Sequence, residues 1–291
     1  MGQTLRLDQL LEDIRSGSDE AKIAAVKALL ELGKFGSPAG AYPLEGAKAA
    51  LRAWRLADAI VFLHHGLRVA EPHTPLWAEL LVNRAIACAH HGFFREAIEA
   101  GDQFLAVVVG LSAKTRSFIP YAHHAIGFAY DALKDHARAI QHYRLAAEMH
   151  TDPVEQTRAG IDLAYALAMS GDPGAADCII QGVTPTQDPL VNFGLATATT
   201  IIRYQQGRFS EAVDAGERAL ALASGQEDRW AIPLAETQYW LARAVFELGD
   251  RQRSVALALR VEFVAYERWH LELGGRADAL LAEILGKGGI E

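Results

Sequence analysis

Cysteine is nearly absent from this chain. The two present, Cys88 and Cys178 of 291 residues, exclude a disulfide framework. Both sit among apolar residues in helical patterns and are expected as buried thiols of a reducing compartment. Positive charge is in deficit. The chain carries 28 Lys and Arg against 36 Asp and Glu, a net charge of −8, which argues against general binding to nucleic acid or to anionic membranes. No apolar run approaches the ~18 residues that would span a bilayer. The opening MGQTLRLDQLLEDIRSG has acids too early and no apolar core, so a signal peptide is not expected. Gly2 lacks the Ser or Thr that a myristoylation motif would place at Arg6. The cytoplasm is the expected compartment.

Catalytic signatures are missing too. There is no phosphate-binding G-x4-G-K-[ST], no dinucleotide-binding G-x-G-x-x-G, no H-E-x-x-H, no G-x-S-x-G and no paired C-x-x-C. Eleven histidines include the adjacent pairs His64-His65, His90-His91 and His123-His124. Neighbours on a helix point about 100° apart and cannot chelate together. Cys88 and His91 share a helix face but are only two ligands. Neither a metal nor another cofactor is expected, and Cys88 has no identifiable base to make it a nucleophile.

What is present is helical grammar. Residues 51% hydrophobic and 22% charged are enough for a large core or a stacked array. An amphipathic helix over 4–15 (Leu5, Leu7, Leu10, Leu11, Ile14) ends at Ser16-Gly17-Ser18. A second, capped by Ser18, carries Ile23, Val26, Leu29 and Leu30. A DNA-binding helix-turn-helix would need a basic recognition face, which Lys22 and Lys27 do not make. After a loop from Gly33 to Pro43, Pro43, Pro75, Pro120, Pro153, Pro189 and Pro233 each open an amphipathic helix. Proline suits the first turn because its missing N–H had no intrahelical partner. Thr74, Asp152 and Asp188 are candidate N-caps, and Glu155 pairs with Asp152 in the manner of a capping box. Pro38, Pro72, Pro173 and Pro185 are expected in loops or turns.

The second helix of each hairpin begins near a small residue: Ala59, Ala97, Ala139, Ala176, Ala212 and Ser254, spaced by 38, 42, 37, 36 and 42 residues. Twelve residues before each stand Ala47, Ala85, Gly127, Ala164, Thr200 and Ala242. The clearest copy is Tyr121 to Pro153, YAHHAIGFAYDALKDHARAIQHYRLAAEMHTDP, with a turn at Lys134–Asp135. Gly127 and Ala139 permit close helix approach, and Tyr130 and Tyr143 fill the space beside them. This stretch resembles the tetratricopeptide repeat (TPR), W-x2-L-G-x2-Y…A-x3-F…P, with His123 in the Trp place. The resemblance implies an all-α, TPR-like α-solenoid. Residues 1–42 are then an N-terminal helical hairpin or cap. Six repeats follow over 43–270 (43–72, 75–112, 120–150, 153–184, 189–224 and 233–270), and 271–291 form a capping helix with a frayed tail. The helix over 251–269 (Val255, Leu257, Leu259, Val261, Phe263, Val264, Tyr266, Trp269) is apolar on most sides and is expected to be buried.

In TPR arrays the first helices line a concave surface. On that resemblance the groove residues are Tyr121, His124, Phe128, Asp131, Arg158, Tyr165, Tyr204, Gln205, Tyr239, Arg243 and Phe246. Rings mixed with Arg, Gln and acids suit an extended protein or peptide partner. Each ring also has a plainer reading, as packing between neighbouring repeats. The set does not resemble the Lys/Asn clamp with which chaperone-cofactor TPR domains grip an acidic C-terminus. The resemblance thus implies a non-enzymatic binding scaffold. It also admits a peptide-sensing regulator, similar to the TPR portion of bacterial peptide-pheromone receptors but lacking their DNA-binding domain. A third reading is an assembly subunit that forms a homodimer through residues 251–285.

Overall fold

A computed structural model describes residues 2–31, 41–227, 230–267 and 270–286. Among them are fifteen longer helices and one single-turn helix, α7 (Ala113–Arg116), and no strand. The chain opens with α1 (Gly2–Ser16), α2 (Asp19–Glu31), α3 (Ala41–Arg52), α4 (Leu56–Val69), α5 (Pro75–His91), α6 (Phe94–Val108), α8 (Ile119–Ala132) and α9 (His136–Met149). It continues with α10 (Pro153–Met169), α11 (Pro173–Gln181), α12 (Pro189–Gln205), α13 (Phe209–Leu222), α14 (Ala231–Glu247), α15 (Arg251–Glu267) and α16 (Leu271–Gly286). Two compact units divide the chain, 1–150 and 151–291.

The six hairpins close in one way. Trp54, Gly92, Lys134, Gly171, Gly207 and Gly249 all have positive φ. They follow the first helix of α3–α4, α5–α6, α8–α9, α10–α11, α12–α13 and α14–α15 respectively. The next residue returns an N–H to the carbonyl five positions back in each: Arg55 to Ala50, Phe93 to Cys88, Asp135 to Tyr130, Asp172 to Leu167, Arg208 to Arg203 and Asp250 to Val245. This left-handed cap satisfies carbonyls that the helix end leaves open and turns the chain sharply. Four of the six positions are glycine, the residue with no steric penalty there. Entry to the helices is also fixed chemically. Thr74, Asp152 and Asp188 accept hydrogen bonds from the first-turn amides of α5, α10 and α12. The Glu155 carboxylate binds Arg158 at 3.2 Å.

The paired small residues are the contact points. All that carry a side chain are 0% exposed, from Ala47 and Ala59 to Ala242 and Ser254. A Cβ added to Gly127 would come within 2.9 Å of the Tyr143 ring. At the last hairpin the Ser254 hydroxyl donates across to the Ala242 carbonyl at 2.8 Å. In unit 1 the first helices α3, α5 and α8 pack on one another, and in unit 2 α10, α12 and α14 do the same. The second helices of each unit make no comparable contact among themselves. The first helices therefore form the tighter layer of each unit. The N-terminal pair α1–α2 closes one end of unit 1, with Ile14, Ile23, Val26 and Leu29 buried. In unit 2, α16 packs on α15 and α14.

Several expectations need correction. Pro173 does not lie in a loop but opens α11, where Asp172 caps the Ala175 amide at 2.9 Å. Cys88 is buried, but Cys178 is exposed, because it lies on the outward side of the short helix α11. Helix α15 is not buried all round: Val261 is, whereas Leu259, Phe263 and Tyr266 are 49%, 68% and 43% exposed. A second helix is covered only along the stripe facing its own first helix and the next element, whatever its remaining residues. Pro38, most of the 33–43 loop, Trp269 and the tail 287–291 lie outside the described residues. No helix among the described residues is long and apolar enough to cross a membrane.

Candidate functional site

The first-helix layer of unit 1 carries a row of rings. His90, at the end of α5, stands between Trp54 of the α3–α4 turn and Phe128 of α8, with centroids 5.2 Å and 5.3 Å away. Trp54 and Phe128 are 49% and 37% exposed. The other candidates of this unit are more occupied. Tyr121 meets His150 edge-on at 4.7 Å, and His124 meets Tyr143 at 5.7 Å. Asp131 binds the His136 ring at 2.8 Å across its own hairpin turn.

Unit 2 assembles a denser cluster from α10, α12, α14 and α16. The Tyr165 hydroxyl donates to Glu236 at 2.9 Å, and Arg276 donates to the same carboxylate oxygen at 3.2 Å. The Arg276 guanidinium lies 4.2 Å above the Tyr239 ring and 5.5 Å from Trp240. Burial opposes its charge, but Glu236 and Tyr239 outweigh burial and raise its pKa. Arg243 stacks on Tyr204 at 5.2 Å and reaches the Tyr239 hydroxyl at 3.4 Å. Its pKa is likewise raised, the two tyrosines outweighing burial. The Tyr204 hydroxyl is pushed up by burial, Arg243 pulling the other way. Unlike Arg276, Arg243 has no carboxylate at ion-pair distance among the described residues. Gln205 is half-buried, and its side-chain oxygen has no hydrogen-bond donor among the described residues. Phe246 packs half-buried on the unit's core.

The structure thus brings Tyr165, Tyr204, Tyr239 and Arg243 together and leaves Arg158 apart, tied to Glu155 and Asp188 at 3.2 Å and 3.3 Å. Tyr239 is only 6% exposed, so it supports the cluster from beneath. Sequence reasoning missed Trp54, Trp240 and Arg276. Nothing in the repeat spacing says that α16 folds back onto α14, and at Trp54 the glycine that marks this turn in four other hairpins is missing. An open recess of about 430 Å³ is lined by Arg95, Glu99, Tyr130 and Arg138, among others, and includes none of the eleven candidates. Its Arg138 is already held by Asp135 at 2.7 Å. Among the described residues no three His, Cys, Asp or Glu converge on a metal position.

Helical hairpins closed by identical turns, joined at paired small residues and stacked by their first helices, define a helical-repeat solenoid. The fold is similar to that of tetratricopeptide-repeat proteins among solved structures. A tetratricopeptide repeat protein from Parabacteroides merdae matches with a TM-score of 0.64 at 15% identity, over 94% of this chain and 98% of that one. NprR in complex with its cognate peptide NprX matches with a TM-score of 0.64 at 14% identity, over 97% and 82%. A Rap protein complexed with Competence and Sporulation Factor matches with a TM-score of 0.57 at 14% identity, over 96% and 84%. No protein-family model matches the chain, and no curated protein matches it.

Proposed function

We propose that this chain is a non-enzymatic scaffold that binds a linear peptide, or an extended segment of a protein, on the first-helix face of its units. The observation that carries this reading is the uncovered row Trp54–His90–Phe128. Solvent-facing rings aligned across three hairpins contribute little to folding, while flat apolar area beside polar groups suits an extended chain. Unit 2 supplies matching chemistry. Arg243 has a guanidinium to offer a ligand carboxylate or carbonyl, and the Gln205 amide turns to a ligand N–H without breaking an internal hydrogen bond. The eleven candidates divide accordingly. Phe128, Tyr165, Tyr204, Gln205, Arg243 and Phe246 are proposed to meet ligand. Tyr121, His124, Asp131, Arg158 and Tyr239 hold the surface in shape. One solved protein of similar fold, NprR, is described in complex with its cognate peptide, which favours a short peptide over a folded partner and supports the peptide-sensing form of the reading. The test is selection of a displayed library of random linear peptides on the full chain. The expected result is enriched peptides that lose binding to W54A/F128A and R243A variants of unchanged helicity. Failure to enrich any peptide would contradict the proposal.

A further inference from the structure

The apolar stripe on α15 has a different use. Leu259, Phe263 and Tyr266 follow one another at helical spacing on a single face. The same register positions are polar or small elsewhere. Five residues after the aligned small residue the other second helices have His64, Asp102, Arg144, Gln181 and Glu217 where α15 has Leu259. Nine residues after it α4, α6, α9 and α13 have Arg68, Ala106, Glu148 and Ala221 where α15 has Phe263, and α11 ends at Gln181 before reaching that position. Other second helices also expose apolar residues, Val61 and Val69 on α4 and Leu145 and Met149 on α9, but α15 sets three together, two of them aromatic, and a contiguous exposed apolar strip of that kind marks an interaction surface.

The charges beside the strip indicate what covers it. Arg260 and Glu267 are both exposed, lie on the same flank two turns apart, and make no ion pair among the described residues. Arg260 acts only as a weak pull on Glu227. An antiparallel pairing of α15 with itself, centred beside Phe263, sets Arg260 of each copy against Glu267 of the other. A two-fold axis perpendicular to the helices keeps each flank facing its own equivalent, so both ion pairs form at once. The ring of Tyr266 is already braced for such a contact. It lies over Gly274, where a Cβ would sit 2.8 Å from it, and its hydroxyl donates to Asp278 at 2.6 Å.

We propose that the partner of this surface is a second copy of the chain, joined antiparallel through α15 with Leu259, Phe263 and Tyr266 at the centre. The proposal does not use the first-helix face, so it stands or falls apart from peptide binding. Sedimentation equilibrium of the full chain tests it. Wild type is expected at twice the chain mass, and L259D/F263D at the chain mass with an unchanged helical circular dichroism signal. R260E alone and E267R alone each place like charges opposite and raise the dissociation constant by at least about tenfold. An equimolar mixture of the two restores complementary pairs and the dimer. A monomeric wild type, a dimer insensitive to L259D/F263D, or a mixture no tighter than its components would overturn the proposal. If L259D/F263D loses helicity, the charge-swapped mixture alone decides the matter.

Discussion

At the residue scale, the hairpin turn imposes one backbone demand and the chain meets it with unequal residues. Gly92, Gly171, Gly207 and Gly249 adopt positive φ freely, whereas Lys134 does so at φ 64° with a Cβ attached. A left-handed non-glycine residue costs roughly 1–2 kcal/mol, partly offset by the entropy glycine adds to the unfolded chain. Lys134→Gly is therefore expected to stabilise unit 1 by about 0.5–1 kcal/mol, measured by urea unfolding. His123 and His142 make a second residue-scale prediction. Their Nδ1 atoms are 3.0 Å apart, so one donates and the other accepts. Burial, and then the neighbouring imidazole, lower the His123 pKa to about 4, and burial lowers that of His142. Asp102 of α6 faces this pair, its own pKa raised by burial, with Tyr130 stacked on His142 at 5.7 Å. At His123 the unfolded chain takes up a proton as the pH falls through the ordinary histidine value of 6.5, while the folded chain does not until about 4. The stabilisation tied to His123 is thus complete above 6.5 and is lost between 6.5 and 4, and the lowered pKa of His142 adds a loss of the same sign. Urea midpoints should fall across that window, and H123F/H142F should show a shallower decline.

At the element scale, the repeated structure was legible because it rests on spacing. The interval series of the aligned small residues recurs unchanged in the turn residues, each five positions earlier. Close helix contact, the left-handed turn and the proline-led first turn are local demands, and local demands leave a period in the sequence. What lay beyond reading was whatever depends on elements distant along the chain. Trp54 occupies a position that glycine fills in four other hairpins, so the pattern hid both the turn residue and the ring it presents. Helix α15 looked buried because its composition is apolar, but exposure depends on which faces have neighbours. Arg276 was unreadable for the same reason. Its partner Glu236 is on α14, 40 residues earlier. This arginine couples the last helix to the site, since it binds Glu236 and lies over Tyr239. Arg276→Ala leaves Glu236 with Tyr165 as its remaining partner here and removes the cation above the ring. Hydrogen exchange should then accelerate selectively in α16 and at the contacting end of α14, with α10–α13 unchanged. Uniform acceleration across unit 2 would mean that Arg276 serves the whole core rather than the docking of α16.

At the scale of the whole molecule, two surfaces have chemistry that folding does not use: the first-helix faces, with their rings and Arg243, and the α15 strip. A repeat array makes this division natural, because each hairpin spends its small residues and inner apolar stripe on its neighbours and leaves the remaining faces to diverge. The central claim concerns the first-helix faces, and the affinity of library-selected peptides for wild type and variants addresses it most directly. For R243A and for W54A/F128A, each melting like wild type, the account predicts dissociation constants raised by at least about tenfold, the loss expected when a binding hot spot is truncated. Peptides that bind both variants as tightly as wild type would contradict it.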